Sequence, residues 1–327
     1  MRTGSIAAAP WWAPASSETS TTSTTGTAGS ARRAPDPRAL LASLSRQLTA
    51  ATVDFGGSTR SLAIFRVLVV GILWTRFSWD LFWPRAKSPS YLVASVLFFA
   101  VTPLLLVGFK TRVVAWITSG TLVFMLVQIA YREHHEPWTH HHVAFLVILT
   151  ALLALTPCGR SLSVDRVLAV RRARREGRAI PDENGPLWAV RMMQMTVTSL
   201  YLYGAIDKMR WSYVSGARLH HYFMESFGNF PLPMTGLAGS VVDATFAVVA
   251  VSSIALELSL AFLLYVPRVQ VPLMIAGALF HLLIYVTLPV STFSATTVLA
   301  YVLFFPPARV HAFVDDALGQ RSTDDEA

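Results

Sequence analysis

Eight apolar segments follow one another along this chain, at 61–79, 91–109, 113–131, 141–157, 190–207, 244–266, 271–288 and 293–305. Each approaches the roughly 20 residues that a helix needs to cross a hydrocarbon core of about 30 Å. No water satisfies a peptide group in such a core, so a segment of this length must bond its backbone internally as a helix. The expected fold is all-α: a polytopic helical membrane bundle with about eight transmembrane helices. Composition agrees, because 53% hydrophobic and 14% charged residues leave too few polar side chains for a soluble domain of 327 residues. The eighth segment is short, and suits a tilted, broken or re-entrant helix as well as a full crossing.

The flanks read differently. Residues 1–36 are rich in Ser, Thr, Ala, Gly and Pro, too polar to offset the entropy of ordering, and are expected as a disordered tail. Over 37–54, Leu40, Leu41, Leu44 and Leu48 share a helical face opposite Arg46. That spacing fits an interfacial amphipathic helix, and a cytosolic amphipathic turn equally well. The transmembrane domain is expected over 55–307 and an acidic cytoplasmic tail over 308–327.

Charge orients the bundle. Seven arginines, Arg160, Arg166, Arg171, Arg172, Arg174, Arg175 and Arg178, crowd the loop between the fourth and fifth segments, and Arg32, Arg33, Arg38, Arg46 and Arg60 precede the first. Cytoplasmic loops retain Lys and Arg. Both regions then face the cytoplasm, and eight crossings put both termini there too; Arg85 and Lys87 run against the count. The net charge of +8 belongs to this pattern and not to nucleic acid, since the basic loop lacks interleaved aromatics. The expected location is the cell membrane, multi-pass, with membrane lipid as first partner. A single cysteine, Cys158, excludes an internal disulfide.

A polar residue inside an apolar helix costs about a few kcal/mol or more unless it faces a partner or a wet cavity. In the fifth segment Gln194, Thr198, Tyr201 and Lys208 fall on one helical stripe; in the sixth Ser253 and Glu257 share a face, and in the seventh His281 and Tyr285 do. Arg66 and Glu257 lie at similar depth from the inner side and are expected to pair, as structural intramembrane polar groups. The topology also puts His134, His135, His140, His141 and His142 on the same side as Lys208. Plainer readings stand beside these. Lys208, Arg210 and Trp211 fit an interfacial anchor, His281 a satisfied core histidine, and the histidine run a polar loop. The histidine spacings match no standard zinc pattern, so no metal is expected; bis-histidine haem ligation by His281 and His142 is a further alternative.

Four stretches together resemble the HTTM (horizontally transferred transmembrane) domain, the membrane part of vitamin K-dependent γ-glutamyl carboxylases and of bacterial relatives. They are "RSLAIFRVLVVGILW" with its internal Arg66, "HHHVAFLVILTALLALTPCGRSLSVD" from His142 to Asp165, "YLYGAIDKMRWSYVSG" around Lys208 and ending at Gly216, and "LFHLLIYVTLPVSTFSATTVLAYVLFF" with Phe280 and His281. The resemblance implies Lys208, His142 and His281 as catalytic residues, and Tyr201, Tyr285 and Trp211 around a cofactor that is reduced vitamin K or menaquinol. The implied chemistry is lipid-quinone-linked carboxylation, or a related carbon–carbon lyase and epoxidase reaction, on a peptide or small acid at the outer face. Two departures stand out: Asp207 where the carboxylases carry a second lysine, and no large extra-membrane domain after the last helix. They favour an alternative, a non-catalytic maturation or export partner for a secreted peptide, or a separate substrate-binding protein as partner. A transporter is disfavoured by the lack of paired broken helices.

Overall fold

The computed structural model describes residue 43 and residues 55–82, 88–226, 239–287 and 291–319. The readings for 1–36 and for nearly all of 37–54 lie outside these. Ten helices of a turn and a half or more follow in order: α1 Arg60–Leu81, α2 Pro89–Val107, α3 Thr111–Arg132, α4 His141–Ala154, α5 Val164–Arg175, α6 Trp188–Lys208, α7 Gly239–Leu263, α8 Pro267–Thr287, α9 Ser291–Ala300 and α10 Pro307–Ala317. The last eight residues of α3, Met125–Arg132, widen into a π-helix, and a 3-10 turn, Tyr301–Phe304, extends α9. Strands β1 (Gly56–Ser58) and β2 (Asn184–Pro186) pair antiparallel, with Gly57 opposite Gly185.

All eight expected segments are helical. Five helices, α1, α2, α3, α7 and α8, are long and apolar enough to cross a membrane, and a sixth span results if α9 with its 3-10 extension and α10 count as one, bent by 97°. Two expected spans fall short for different reasons: α4 has only 14 residues, and α6 carries Arg191, Asp207 and Lys208. The bend after Phe304 follows from Pro306 and Pro307, which cannot continue a helix from the preceding turn. Residues 308–317, placed by sequence in a tail, continue α10 from Pro307 because Val310 and Val314, one turn apart, bury against the bundle.

The core is densest along α1, where Leu62, Phe65, Val69, Leu73 and Phe77 are all buried, and between α6 and α7. Exposed Val96, Val248, Phe262, Leu279 and Val286 face outward, as lipid-facing positions do. Local chemistry sets the helix ends. Ser88 caps α2 by accepting from the Tyr91 amide, Pro89 takes the first turn, and Gly108 closes it at φ 70°. Glycine is required at 108 twice over: the angle is left-handed, and a Cβ would lie 2.9 Å from Arg66 Nη1 and 2.5 Å from Ser163 Cβ.

Arg66 does not pair with Glu257. Its Nη1 donates to Cys158 O at 2.5 Å and its Nη2 to Leu162 O at 2.6 Å. The loop after α4 turns back under α1 and offers free carbonyls to the guanidinium fork, which a planar group with several donors can satisfy together. The first turn of α5, directly after that loop, supplies Asp165, whose carboxylate accepts from the Lys110 and Thr111 amides and the Thr111 hydroxyl at 2.7–2.8 Å. It thereby caps α3, whose own N-cap position is held by Lys110, without a capping side-chain bond. At this end Arg60 binds Glu183 (2.7 Å) and Asp315 (2.6 Å), and Thr59 bonds Ser161 Oγ and Glu183 O. Cys158 lies buried in this knot, and burial pushes its thiol pKa up.

Candidate functional site

The site is built on α6. One stripe of that helix, Gln194, Thr198 and Tyr201, is buried as its spacing predicts. Gln194 Nε2 donates to Leu303 O at 2.7 Å. Thr198 shares a hydrogen bond with Tyr265. Further along, Lys208 Nζ donates to both carboxylate oxygens of Glu257 on α7, at 2.9 Å each. The ammonium is also 3.3 Å from Gly204 O and 6.0 Å from the centre of the Tyr213 ring. The Lys208 side chain retains 26% of its exposure and Glu257 only 8%. Gly204 makes room for the pair, because a Cβ there would stand 3.3 Å from Glu257 Oε1 and 3.4 Å from Lys208 Nζ.

Asp207, the anion expected beside the lysine, turns away and pairs with Arg210 at 3.1 Å, both of them substantially exposed. Adjacent residues on a helix point about 100° apart, so Asp207 and Lys208 cannot serve the same interior face. Tyr213 closes the far side, its hydroxyl bonded to Ser253 Oγ at 3.0 Å. Ser253 and Glu257 are thus both buried on the α7 face, as their spacing implies.

A second cluster forms one helix away. Tyr201 Oη is 2.8 Å from His281 Nε2 on α8 and also hydrogen-bonds Tyr301 Oη. Gly277, one turn before His281, clears the space for Tyr301, because a Cβ at 277 would collide with the Tyr301 hydroxyl. Tyr201 and Lys208 lie about two helical turns apart on α6, so one helix carries a member of each cluster. The Phe293 ring bridges the histidines: its centroid is 5.4 Å from His281 and 6.0 Å from His141. His142 sits at the buried start of α4, stacked on His140 at 5.3 Å.

The approach to α4 is anchored from below. Trp138 is fully buried against Phe77 and donates to Asp80 at 3.2 Å. Glu133 accepts from Ser88 Oγ at 2.7 Å, and hydrogen bonds from Ser90 and Ser88 hold its carboxyl below the usual carboxylate range. His135 packs edge-on against Trp138 and Tyr91.

Lys208, His142 and His281 are all partly or fully buried on facing elements, yet among the described residues no hydrogen bond joins the lysine to either imidazole. His142 Nδ1, His281 Nδ1 and Ser294 Oγ are buried without a hydrogen-bond partner. Trp211 and Tyr285 are exposed, at 80% and 55%. For Tyr285, the offset of about 40° between residues four apart carries the ring from the seam occupied by His281 to the outer side of α8. Among the described residues no cluster of His, Cys, Asp and Glu could hold a metal ion.

Sequence reasoning missed Tyr301, Tyr213, Phe293 and Gly204. An isolated glycine one turn before a lysine in an apolar helix was the available signal for Gly204. Tyr301 carries no comparable mark.

Residues 75–308, which contain Lys208, Glu257, His142, His281 and Tyr301, match the family model described as HTTM domain. The chain belongs to the HTTM domain family. The match begins inside α1, after Arg66, so the HTTM region includes both clusters but not the arginine that holds the loop. With its apolar helices, this HTTM chain is a multi-pass integral membrane protein in contact with lipid. No curated protein and no solved structure matches it significantly.

Proposed function

We propose that this HTTM protein handles protons for lipid-quinone-linked chemistry, carboxylation or a related reaction, on a peptide or small acid at the outer face of the cell membrane. The orientation follows the arginine count: eight crossings, with α4, α6 and α9 completing the five long spans, and both termini in the cytoplasm. One observation carries the reading. A lysine and a carboxylate paired inside an apolar bundle lie about two helical turns along α6 from a Tyr–His–Tyr hydrogen-bonded cluster.

In this site Lys208 acts as the base. Its proton passes from Nζ to a carboxylate oxygen of Glu257, leaving a neutral amine and a neutral acid; burial favours that exchange over separated charges. The amine then takes a proton from an acidic hydroxyl placed within hydrogen-bond reach. A reduced quinone suits the donor set present, because His281 Nδ1 and His142 Nδ1 are buried with no hydrogen-bond partner among the described residues. Bound there, the quinol would react with O2, which takes up its electrons, and so supply the strong base that removes the γ-proton of a glutamyl side chain before CO2 adds to the carbanion. His281 orients one oxygen, held in turn by Tyr201 and Tyr301, and His142 stabilises the developing carbanion.

Purified protein incubated with reduced quinone and labelled bicarbonate should yield quinone epoxide and fixed label together. Lys208→Met should abolish both while leaving the protein folded. Unimpaired turnover in that variant would remove the base.

A second reading, a non-catalytic maturation or export partner for a secreted peptide, is favoured by Glu257 itself, since both its oxygens already neutralise the lysine. In that case Lys208→Met paired with Glu257→Leu should behave like wild type in vivo, and a co-purifying complex should instead depend on the exposed outer loops.

A further inference from the structure

A groove of about 860 Å³ lies at the opposite end of α6 from Lys208, at the arginine-rich end of the bundle, where α3 begins, the loop after α4 turns back and α6 starts. It is lined by Arg112, Arg160 and Arg166 together with Trp116, Leu155 and Trp188. Neither the proposed chemistry nor the HTTM match gives it a role.

Its charge is not spoken for. Arg112 is exposed and has no hydrogen bond or ion pair among the described residues. Arg160 spends one N–H on Asn184 O. Arg166 binds Pro181 O and, at 3.4 Å, Glu183. The lining holds two acids, Asp165, whose oxygens cap α3, and the exposed Asp182, against three guanidinium groups, so the groove keeps a net positive charge. Planar guanidinium forks are suited to phosphate oxygens.

Polarity changes along the groove in a fixed direction. Arg112 is the second residue of α3 and Trp116 lies one turn further in, about 6 Å along the axis; Trp116 and Leu155 are 48% and 41% exposed. Trp188 opens α6 at the same rim, 37% exposed. Cations at the helix end with indoles one turn deeper match the layering of headgroups over acyl chains. The adjoining α5 continues it: Val164, Val167 and Leu168 are exposed on the same helical side as Arg171 and Arg175, an apolar and basic face suited to lying on an anionic surface.

We infer that this groove is a binding site for an anionic phospholipid of the protein's own membrane, its phosphate held by Arg112 and Arg160 and its acyl chains laid against Trp116, Leu155 and Trp188. Arg166, tied to Glu183, positions the loop and is not counted as a ligand.

The test uses the purified full chain in neutral detergent. Native mass spectrometry compares retention of phosphatidylglycerol and phosphatidylcholine with matched acyl chains, with inorganic phosphate as competitor. Phosphatidylglycerol should be retained at least five-fold more strongly, and Arg112→Gln with Arg160→Gln should reduce that preference to less than two-fold. Arg112→Gln alone, at an exposed position with no partner in the fold, should halve retention without moving the thermal midpoint, which keeps the test decisive if the double variant unfolds. Equal retention of the two lipids, or an unchanged preference in the variants, overturns the inference. So does complete displacement by millimolar inorganic phosphate, which would make this a soluble-anion site.

Discussion

Arg66 and Lys208 are two cations withdrawn from water, and they are neutralised in opposite ways. Arg66 rests on two backbone carbonyls of the loop after α4. Lys208 rests on a side-chain carboxylate. A carbonyl cannot accept the proton outright, and a guanidinium does not give it up, so Arg66 is a fixed strut that pins a loop beneath α1. An ammonium facing a carboxylate across 2.9 Å can exchange its proton without moving a heavy atom. The surroundings follow the same division. Near Arg66, Asp165, Ser161 and Glu183 are fully engaged, with Arg66 Nε the exception. On the helices beyond Lys208, His281 Nδ1, His142 Nδ1 and Ser294 Oγ are buried with no hydrogen-bond partner among the described residues. Polar groups in the first region are used up by the fold; those in the second are left over for something the fold does not contain.

The contrast can be broken by substitution. The largest effect is expected from Arg66→Ala, which strips a charged donor from two carbonyls and should cost about 3–6 kcal/mol, seen as loss of folded yield and of the thermal transition in detergent. Arg66→Lys should rescue it poorly, because one ammonium does not reproduce the fork.

At the second cation, Glu257→Leu alone leaves an unpaired buried ammonium and should cost about 3–5 kcal/mol, whereas adding Lys208→Met should recover most of that loss. Double-mutant analysis of unfolding measures the coupling, and a double variant as unstable as the single one would show that the pair is not self-contained.

Gly277→Ala drives a methyl into the Tyr301 hydroxyl and should cost about 1–3 kcal/mol. Tyr301→Phe in the same chain should relieve part of it, by removing the atom that the methyl meets.

Smallest is Asp165→Asn, which weakens the cap on α3 by about 1 kcal/mol. Its effect should be confined to the first turn of α3 in amide exchange; spread to the Lys208 region would contradict the separation of the two regions.

Much of the architecture was legible because apolar length and helical periodicity are local properties. The five long spans, the buried Gln194–Thr198–Tyr201 stripe and the Ser253–Glu257 face all come from spacing along single helices. The expected Arg66–Glu257 pair failed because pairing is a property of which helices meet. Similar depth did not reveal that α6 and α7 lie against each other, or that a loop returns beneath α1 with carbonyls to offer. Tyr301 was invisible for the same reason: its partner is 100 residues away, and a tyrosine in a short apolar segment has an ordinary lipid-facing reading. Trp211 and Tyr285 stand on the outside because a helical face is wider than the seam it shares with its neighbour.

The right-angled elbow at Pro306 and Pro307 governs how this protein can be made. It swings α10 beneath the opening of α1, where Asp315 and the His311 carbonyl grip Arg60, so residues separated by about 250 positions close one clasp. During synthesis α1 enters the bilayer long before its clasp exists, and Arg60 waits with Glu183 at most. Emergence of α10 becomes a checkpoint in itself: a ribosome that stalls after the ninth helix delivers a bundle still unbuttoned at the seam where α1 and α10 meet.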